Sequence, residues 1–460
     1  MLELRLDRVA GDYPLGEVLP VGAPVIATCR PPREGGVWAG SEAARLTLLQ
    51  RAVDAGAEWV DLEWDVDPSA VDGALRIRSR HVLQPCEPAR WGELLDSVAG
   101  TELGKLALAV QEAEDALRLL ELAGSREPRP LVVALDSAGV ASRVLGPSLG
   151  QRWAYAADAA PTGPGQLAAD DLSRLWRGGR ARANLAYGVV GRPVAHSRSP
   201  ELFNHAFAEL GVDALYTWLE AARATALWDR CAGDPRWRGF SVTVPYKQLA
   251  TTWASELEPA AAATGAVNTL SRRGAGWRGD NTDAQALLAL LGEREVRGVD
   301  ARVLGSGGVA RAAVWALRQL GARVTVHARS ADRGGALAKA FQVGWGGGCE
   351  GVPCADGRSR IVVQATSVGM HGGPDPGGAL LRPSAFGPEV LLYELVYTPR
   401  ETPLVRCARA AGAQVIDGVA HFVAQARAQL EAWHPELDVD DARWAELVAT
   451  ALEEPAEAVA

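Results

Sequence analysis

Along the first 175 positions apolar residues come in short runs, separated by turns and by amphipathic stretches. That rhythm predicts strands alternating with helices. Strands are expected at 2–7, 24–30, 58–64, 74–81, 104–110, 131–135 and 151–156, with helices between several of them, such as 42–55 and 113–123. Strands and helices alternating at this spacing imply parallel strands joined by right-handed crossovers, in an open sheet or a barrel. Charged residues end several of the strands (Arg30, Glu63, His81), which favours a barrel whose site lies at that end. Seven strands leave the chain one short of the usual eight.

The polar, glycine-bearing stretch WRGGRARA (176–183) marks a boundary, and a new strand is expected at 187–190. A second α/β region runs to about 433, followed by an acidic, alanine-rich tail read as a short helix and a frayed end. Within it VLGSGGVARA (303–312) reads as a strand, a glycine turn and a helix over 310–320. Gly305, Gly307 and Gly308 would let a pyrophosphate approach the helix N-terminus. The next strand, 323–326, leads to Arg329 and Ser330 about 20 residues on, where arginine suits a ribose 2′-phosphate. NADP is therefore expected over NAD.

Composition narrows the function. Of 47 basic residues only three are lysine (Lys105, Lys247, Lys339), so arginine serves wherever a generic positive charge suffices. The surviving lysines become candidates for chemistry that needs a deprotonatable amine. A net charge of -9 argues against nucleic acid or an acidic membrane surface as partner. No apolar run is long enough for a membrane helix and no signal-peptide pattern opens the chain. Six scattered cysteines without a CxxC pair predict a reduced, cytoplasmic protein with no cysteine-based metal site.

In the second half YGVVGRPVAHSRSP (187–200), GFSVTVPYK (239–247), TGAVNT (264–269) and GDNTD (279–283) follow in order, and QATSVGM, ELVYTPRETPL and DGVAHFVAQARAQ come later. This region, 186–435, resembles shikimate dehydrogenase. Ketone reduction needs a proton donor at the developing alkoxide, a task suited to a lysine beside a carboxylate. The resemblance implies that Lys247 and Asp283 are that pair. It implies substrate contacts from Ser197, Ser199, Thr243, Asn268, Tyr397 and Gln425, and places Met370 beside the nicotinamide. Departures from the family pattern are Ser241 for asparagine, Phe203 for histidine, Glu394 for aspartate and Ala328 for asparagine. They bear on shikimate against quinate as substrate, not on the reaction.

In the first half Glu3 and Arg5 alternate along LELRLD and so share one face of a strand. Lys105, in GKLALAV, is expected to face a barrel interior, where desolvation would lower its pKa and free the amine. Schiff-base chemistry and a salt-bridged structural lysine are both open at this point. ELRLD, TCRPPREGG (28–36), WVDLEW (59–64), His81, KLALAVQEAEDALRLLEL (105–122), AGVASRVLGP (138–147) and TGPGQ (162–166) resemble type I 3-dehydroquinate dehydratase, a Schiff-base TIM barrel. The resemblance implies that Lys105 forms the Schiff base, His81 is the general acid-base and Glu63 orients it. It further implies that Glu3, Arg5, Arg30, Arg143, Thr162 and Gln166 bind substrate, with Arg143 as carboxylate clamp. Val82 and Leu83 replace aspartate and phenylalanine, Thr162 replaces serine, and the family's first barrel strand is absent, whether through a late start, repair by another subunit or degeneration.

Four segments are thus expected: a barrel over 1–178, a substrate domain over 186–283 with 418–435, a Rossmann NADP domain over 284–417 and an acidic tail over 436–460. The expected function is a fused enzyme that dehydrates 3-dehydroquinate and reduces 3-dehydroshikimate with NADPH. The rival is a monofunctional shikimate or quinate dehydrogenase whose barrel half is a scaffold. Expected partners are small-molecule substrates, without nucleic acid, membrane or metal, and a homodimer is the assembly considered.

Overall fold

The computed structural model describes residues 1–9, 14–19, 22–100, 102–158, 160–176, 182–349 and 359–452. Most of the stretch 176–183 and the last eight residues of the tail lie outside the described residues. Two compact units result, Met1–Ala186 with Asp213–Gly233, and Tyr187–Val212 with Asp234–Ala460.

The first unit is built on β1 (Leu2–Arg5), β2 (Val25–Thr28), β3 (Trp59–Glu63), β4 (Leu75–Val82), β5 (Leu103–Ala109) and β6 (Leu131–Leu135), side by side in that order. Every neighbouring pair is parallel. Helices Glu42–Asp54 and Ala113–Gly124 lie where the apolar spacing predicts them; Ser41 starts the first by accepting a hydrogen bond from Ala44 N–H. β5 is buried along its whole length, which suits a strand covered on both faces.

The strand expected at 151–156 is not formed. Its alternation is real, since Trp153 and Tyr155 pack against Ile26, Trp59, Ile77, Leu103 and Leu131. At the β6 edge, however, the Val132 N–H is taken by the Gln151 side chain at 3.0 Å, so a side chain occupies a ladder position that a strand backbone would fill. Beyond that segment an isolated bridge joins Ala157 to Ala168.

Strand β7 (Leu185–Gly191) is followed by β8 (Ala214–Glu220), which with the helix Ala224–Gly233 lies in the first unit. Glu112 accepts from the N–H groups of Ala222 and Arg223, and Arg230 pairs with Glu114 and Glu121.

The second unit holds two sheets. In one, β10 (Glu256–Leu257), β12 (Gly276–Asp280), β11 (Thr269–Arg273), β9 (Trp237–Val242) and β7 lie in that order. In the other, β15 (Gly344–Trp345), β14 (Arg323–His327), β13 (Asp300–Leu304), β16 (Ser359–Gln364), β17 (Leu391–Glu394) and β18 (Gln414–Ile416) are all parallel, a Rossmann-like arrangement. Val303, Val326, Val363 and Leu317 form its core with no exposed surface, where truncation to alanine typically costs about 2–5 kcal/mol for leucine. No helix among the described residues is long and apolar enough to cross a membrane.

Candidate active sites

Strand register assembles the first site. Thr28 is opposite Asp61, Glu63 opposite Ser79 and Ser79 opposite Lys105 on successive strands. Lys105 Nζ donates to Asp61 Oδ2 at 3.0 Å and stands 3.9 Å from Glu3 Oε1, itself bonded by the Thr28 hydroxyl. The ammonium also lies over the Tyr155 ring, 4.2 Å from its centroid. Arg30 reaches Asp61, Glu63 and Ser79 at 2.7–2.8 Å.

Two expectations are corrected here. Burial alone would lower the Lys105 pKa, but Asp61, with Tyr155 and Glu3 behind it, outweighs burial and raises the pKa above the ordinary lysine value. Asp61 in turn is held far below the carboxylate range, because Arg30 and Lys105 overcome its burial. The resting amine is therefore charged rather than free. The second correction concerns His81, whose Nδ1 and backbone N–H both meet Glu34 Oε2, at 2.9 and 3.0 Å. Glu63 instead serves Arg30 and Arg45, each at 2.8 Å. Burial, then Arg30 and Lys105, push the His81 pKa well below its usual value, which leaves a neutral imidazole able to accept a proton. Burial pushes Glu34 up to about 7, against Arg30 and with help from Glu63 and Asp61.

The remaining residues of this half divide. Arg5 is clamped by Asp7 through two 2.9 Å bonds. Arg143, 3% exposed, donates to Pro164 O, while its Nε has no hydrogen-bond partner and burial lowers its pKa to about 10. A buried guanidinium with an unused donor suits an incoming carboxylate. Thr162 donates from its N–H and hydroxyl to Gln166 Oε1, closing the 162–166 loop beside it. Gly165 (φ 69°) is required there, since a Cβ would lie 2.2 Å from Asp136 O.

In the second unit Asn281 caps the helix Thr282–Gly292 and so puts Asp283 in its first turn, where the helix dipole favours negative charge. Lys247 Nζ donates to Asp283 Oδ2 at 2.6 Å. Burial would raise the Asp283 pKa, but Lys247 and then His421 hold it well below the carboxylate range. Asp283 Oδ1 is 3.4 Å from His421 Nε2, and His421 Nδ1 is 2.9 Å from the Tyr393 hydroxyl.

The other expected contacts cluster more loosely. Ser197 Oγ donates to Ser199 Oγ and bonds the Tyr397 side chain, which stacks on Phe422. Asn268 is occupied within the protein, accepting from Thr282 N–H at 2.7 Å and donating to the Thr282 hydroxyl. Gln425 accepts from Gln429, whose own oxygen accepts from Ser241, so one departure from the family pattern braces a residue expected to contact substrate. Thr243 N–H bonds Val190 O, and its methyl group lies where a Cβ on Gly191 would clash at 2.4 Å. Glu394 accepts from Leu395 N–H, Val396 N–H and the Thr402 hydroxyl, pinning the loop that carries Tyr397. Met370 sits in a turn tied to that loop by the His371 N–H to Thr398 O bond.

A dinucleotide fits the Rossmann half. Gly305 (φ 126°) has Ala365 O only 2.6 Å from a virtual Cβ, whereas Gly307 at the start of helix Gly308–Gln319 faces open space. Bare N–H groups there suit a pyrophosphate. A Cβ on Gly308 would meet the Lys247 stem at 3.0 Å, so this glycine turn adjoins the lysine of the pair. Arg329 is exposed beyond β14, and the Ser330 hydroxyl caps helix Ala331–Phe341. Among the described residues no group of three or more His, Cys, Asp and Glu could hold a metal ion.

Sequence reasoning passed over Asp61, Glu34, His421 and Tyr393. Asp61 and Glu34 lie inside the motifs given above, and an acidic residue flanked by apolar neighbours at mid-strand is the available signal for Asp61. His421 carries no such signal, because its partners are 138 and 28 positions away.

Rossmann sheet, glycine turn, exposed arginine and lysine–carboxylate pair together define a nucleotide-dependent oxidoreductase. Comparison with known proteins specifies it. Residues 189–270 match the shikimate dehydrogenase substrate-binding domain model and residues 1–178 match that of type I 3-dehydroquinase. Shikimate dehydrogenase (NADP(+)) of Syntrophobacter fumaroxidans is 40% identical over 255 residues, 54% of this chain and 86% of that protein. The chloroplastic bifunctional 3-dehydroquinate dehydratase/shikimate dehydrogenase of Arabidopsis thaliana is 27% identical over 94% of this chain and 77% of its own length. The crystal structure of Thermus thermophilus shikimate 5-dehydrogenase, in complex with NADP(H) and shikimate, superposes with a TM-score of 0.51 at 33% identity, covering 58% of this chain and 99% of that one. The chain belongs to the shikimate dehydrogenase family, joined to a type I 3-dehydroquinase module.

Proposed function

We propose that the chain catalyses two consecutive reactions, dehydration of 3-dehydroquinate to 3-dehydroshikimate and NADPH-dependent reduction of that product to shikimate. The observation that carries the reading is that each unit sets one lysine against one buried, ionised aspartate, Lys105 on Asp61 and Lys247 on Asp283. The first unit is read as a TIM-barrel module, its site at the C-terminal ends of β1 to β6.

In the dehydration the Lys105 nitrogen bonds the substrate ketone carbon as two of its ammonium protons pass to the carbonyl oxygen, which leaves as water to give an iminium, while Asp61 stays ionised beside it. Neutral His81, steadied by Glu34, takes a C2 proton; the electron pair is drawn toward the iminium. His81 then returns the proton to the departing C1 hydroxyl, which leaves as the second water, and hydrolysis of the imine frees Lys105. Arg143 holds the substrate carboxylate, with Glu3, Arg30, Thr162 and Gln166 on its hydroxyls; Arg5 orients through Asp7.

In the reduction bound NADPH supplies the hydride. The Lys247 ammonium, held in place by Asp283, gives its proton to the carbonyl oxygen as that oxygen becomes a hydroxyl. Ser197, Ser199 and Tyr397 receive the carboxylate, Thr243, Asn268 and Gln425 the ring hydroxyls. Gly305, Gly307 and Gly308 would cradle the pyrophosphate, Arg329 and Ser330 the 2′-phosphate, and Met370 would flank the nicotinamide.

The scaffold alternative is disfavoured, since a non-catalytic module has no need to keep Lys105, Asp61, Arg30, Glu63, Glu34 and His81 in one buried network. Borohydride trapping with 3-dehydroquinate is the test: a mass increase on Lys105 is expected, and stable protein without an adduct removes the dehydratase claim.

A further inference from the structure

His421 lies on helix Gly418–Trp433, one turn before Gln425. With Tyr393 on β17, Asp283 at the head of its helix and Lys247 after β9, it completes a chain of four side chains from four elements. Tyr393 is 0% exposed, Asp283 5% and His421 6%, so water is a poor substitute for any missing partner.

Hydrogen-bond chemistry orders the chain in one way. A carboxylate only accepts, so His421 Nε2 carries the hydrogen that faces Asp283. On the other side of the ring Nδ1 lies 2.9 Å from the Tyr393 hydroxyl, and in the tautomer with hydrogen on Nε2 alone Tyr393 donates to it. Burial raises the Tyr393 pKa well above its usual value, so the phenol keeps that proton. Each group thus satisfies the next.

The consequence falls on Asp283. A carboxylate bonded only through Oδ2 to Lys247 remains free to rotate about χ2; a second donor on Oδ1 removes that freedom. We propose that His421 is a positioning residue for the reduction, locking the Asp283 carboxylate so that the Lys247 ammonium stays aimed at the substrate oxygen. The proposal rests on the Lys247 and Asp283 roles given above. Misdirection of a catalytic group by about 1 Å costs up to ~10²-fold in rate, which sets the scale.

The test uses the full chain, with kcat and KM for 3-dehydroshikimate and NADPH measured for His421→Leu, His421→Gln and Tyr393→Phe. His421→Leu removes the donor and should lower kcat by about 10- to 100-fold with KM for NADPH unchanged. His421→Gln presents an amide N–H near the Nε2 position and should restore kcat to within about three-fold of wild type, while Tyr393→Phe, which removes only the tautomer bias, should fall between. Dehydration of 3-dehydroquinate by the same preparations should be unchanged and reports folding of the first unit. Wild-type kcat in His421→Leu, or equal impairment of the leucine and glutamine variants with NADPH affinity retained, overturns the proposal. Should the leucine variant fail to fold, an unaltered kcat in Tyr393→Phe overturns it equally. Wild-type chain that does not reduce 3-dehydroshikimate would instead refute the functional reading on which it rests.

Discussion

The two lysines sit in similar company and, on the proposed function, are prepared for opposite tasks. On the proposed reading Lys247 needs only one partner: Asp283 accepts from its Nζ at 2.6 Å, and an ammonium so held is already the acid that ketone reduction requires. Lys105 must become a neutral nucleophile, yet Asp61 raises its pKa. The difference lies in how the carboxylate is shared. Asp61 also receives Arg30 at 2.8 Å and the Ser79 hydroxyl at 2.5 Å, so its negative charge remains compensated once Lys105 gives up its own charge to the substrate. A lysine beside an aspartate is therefore a resting acid or a latent nucleophile according to what else holds the aspartate, and proximity by itself does not distinguish them.

Removing each lysine breaks this comparison most directly. Lys105→Ala should lower dehydration by at least ~10³-fold with reduction intact, and Lys247→Ala should do the reverse by ~10²–10⁴-fold. Steady-state rates for each half-reaction measure both, and loss of both activities in either variant contradicts independent sites. Asp61→Asn should cost about 3–5 kcal/mol in urea unfolding, because two buried cations lose their anion. In whatever fraction folds, it should also move the acid limb of borohydride trapping to lower pH, since Lys105 loses the charge that raises its pKa; an unmoved limb would show that Asp61 does not control the amine.

Glu394 extends the comparison to a fully buried carboxyl held by N–H groups and a hydroxyl rather than by a cation. Burial raises its pKa from 4.5 to about 7. Its contribution to stability is therefore full below about pH 4.5 and lost as pH rises through about 7, on the order of 3 kcal/mol. Glu394→Gln should flatten the fall in stability between about pH 5 and pH 8, read from denaturant midpoints, and parallel curves would refute the assignment. Smallest in energy, Arg329→Ser should raise KM for NADPH about ten-fold while leaving that for NADH unchanged, since one charge-assisted bond is worth ~1.5–3 kcal/mol. Equal effects on both would place the 2′-phosphate elsewhere.

Much of this was legible in the residues. The strands that frame both sites, the glycine turn and the Lys247–Asp283 pair follow from local pattern and ordered motifs, and arginine's dominance among the basic residues singled out Lys105 and Lys247. Long-range pairing was not legible. The 151–156 segment has strand alternation, but a single glutamine amide at the edge of β6 decided otherwise. Glu63 and Glu34 are both acids near a β-strand end or loop, and only the fold shows that Glu34 meets His81 while Glu63 meets Arg30 and Arg45.

By itself the sequence determined which side-chain types were available and, through periodicity, which face of each element they occupy, because those depend on neighbours a few residues apart. Tertiary structure alone decided which acid meets which base, and therefore which way each pKa moves. Burial and charge act through space over a few ångströms, and the groups that set them here are 44 positions from Lys105 and 36 and 138 positions from Asp283 along the chain.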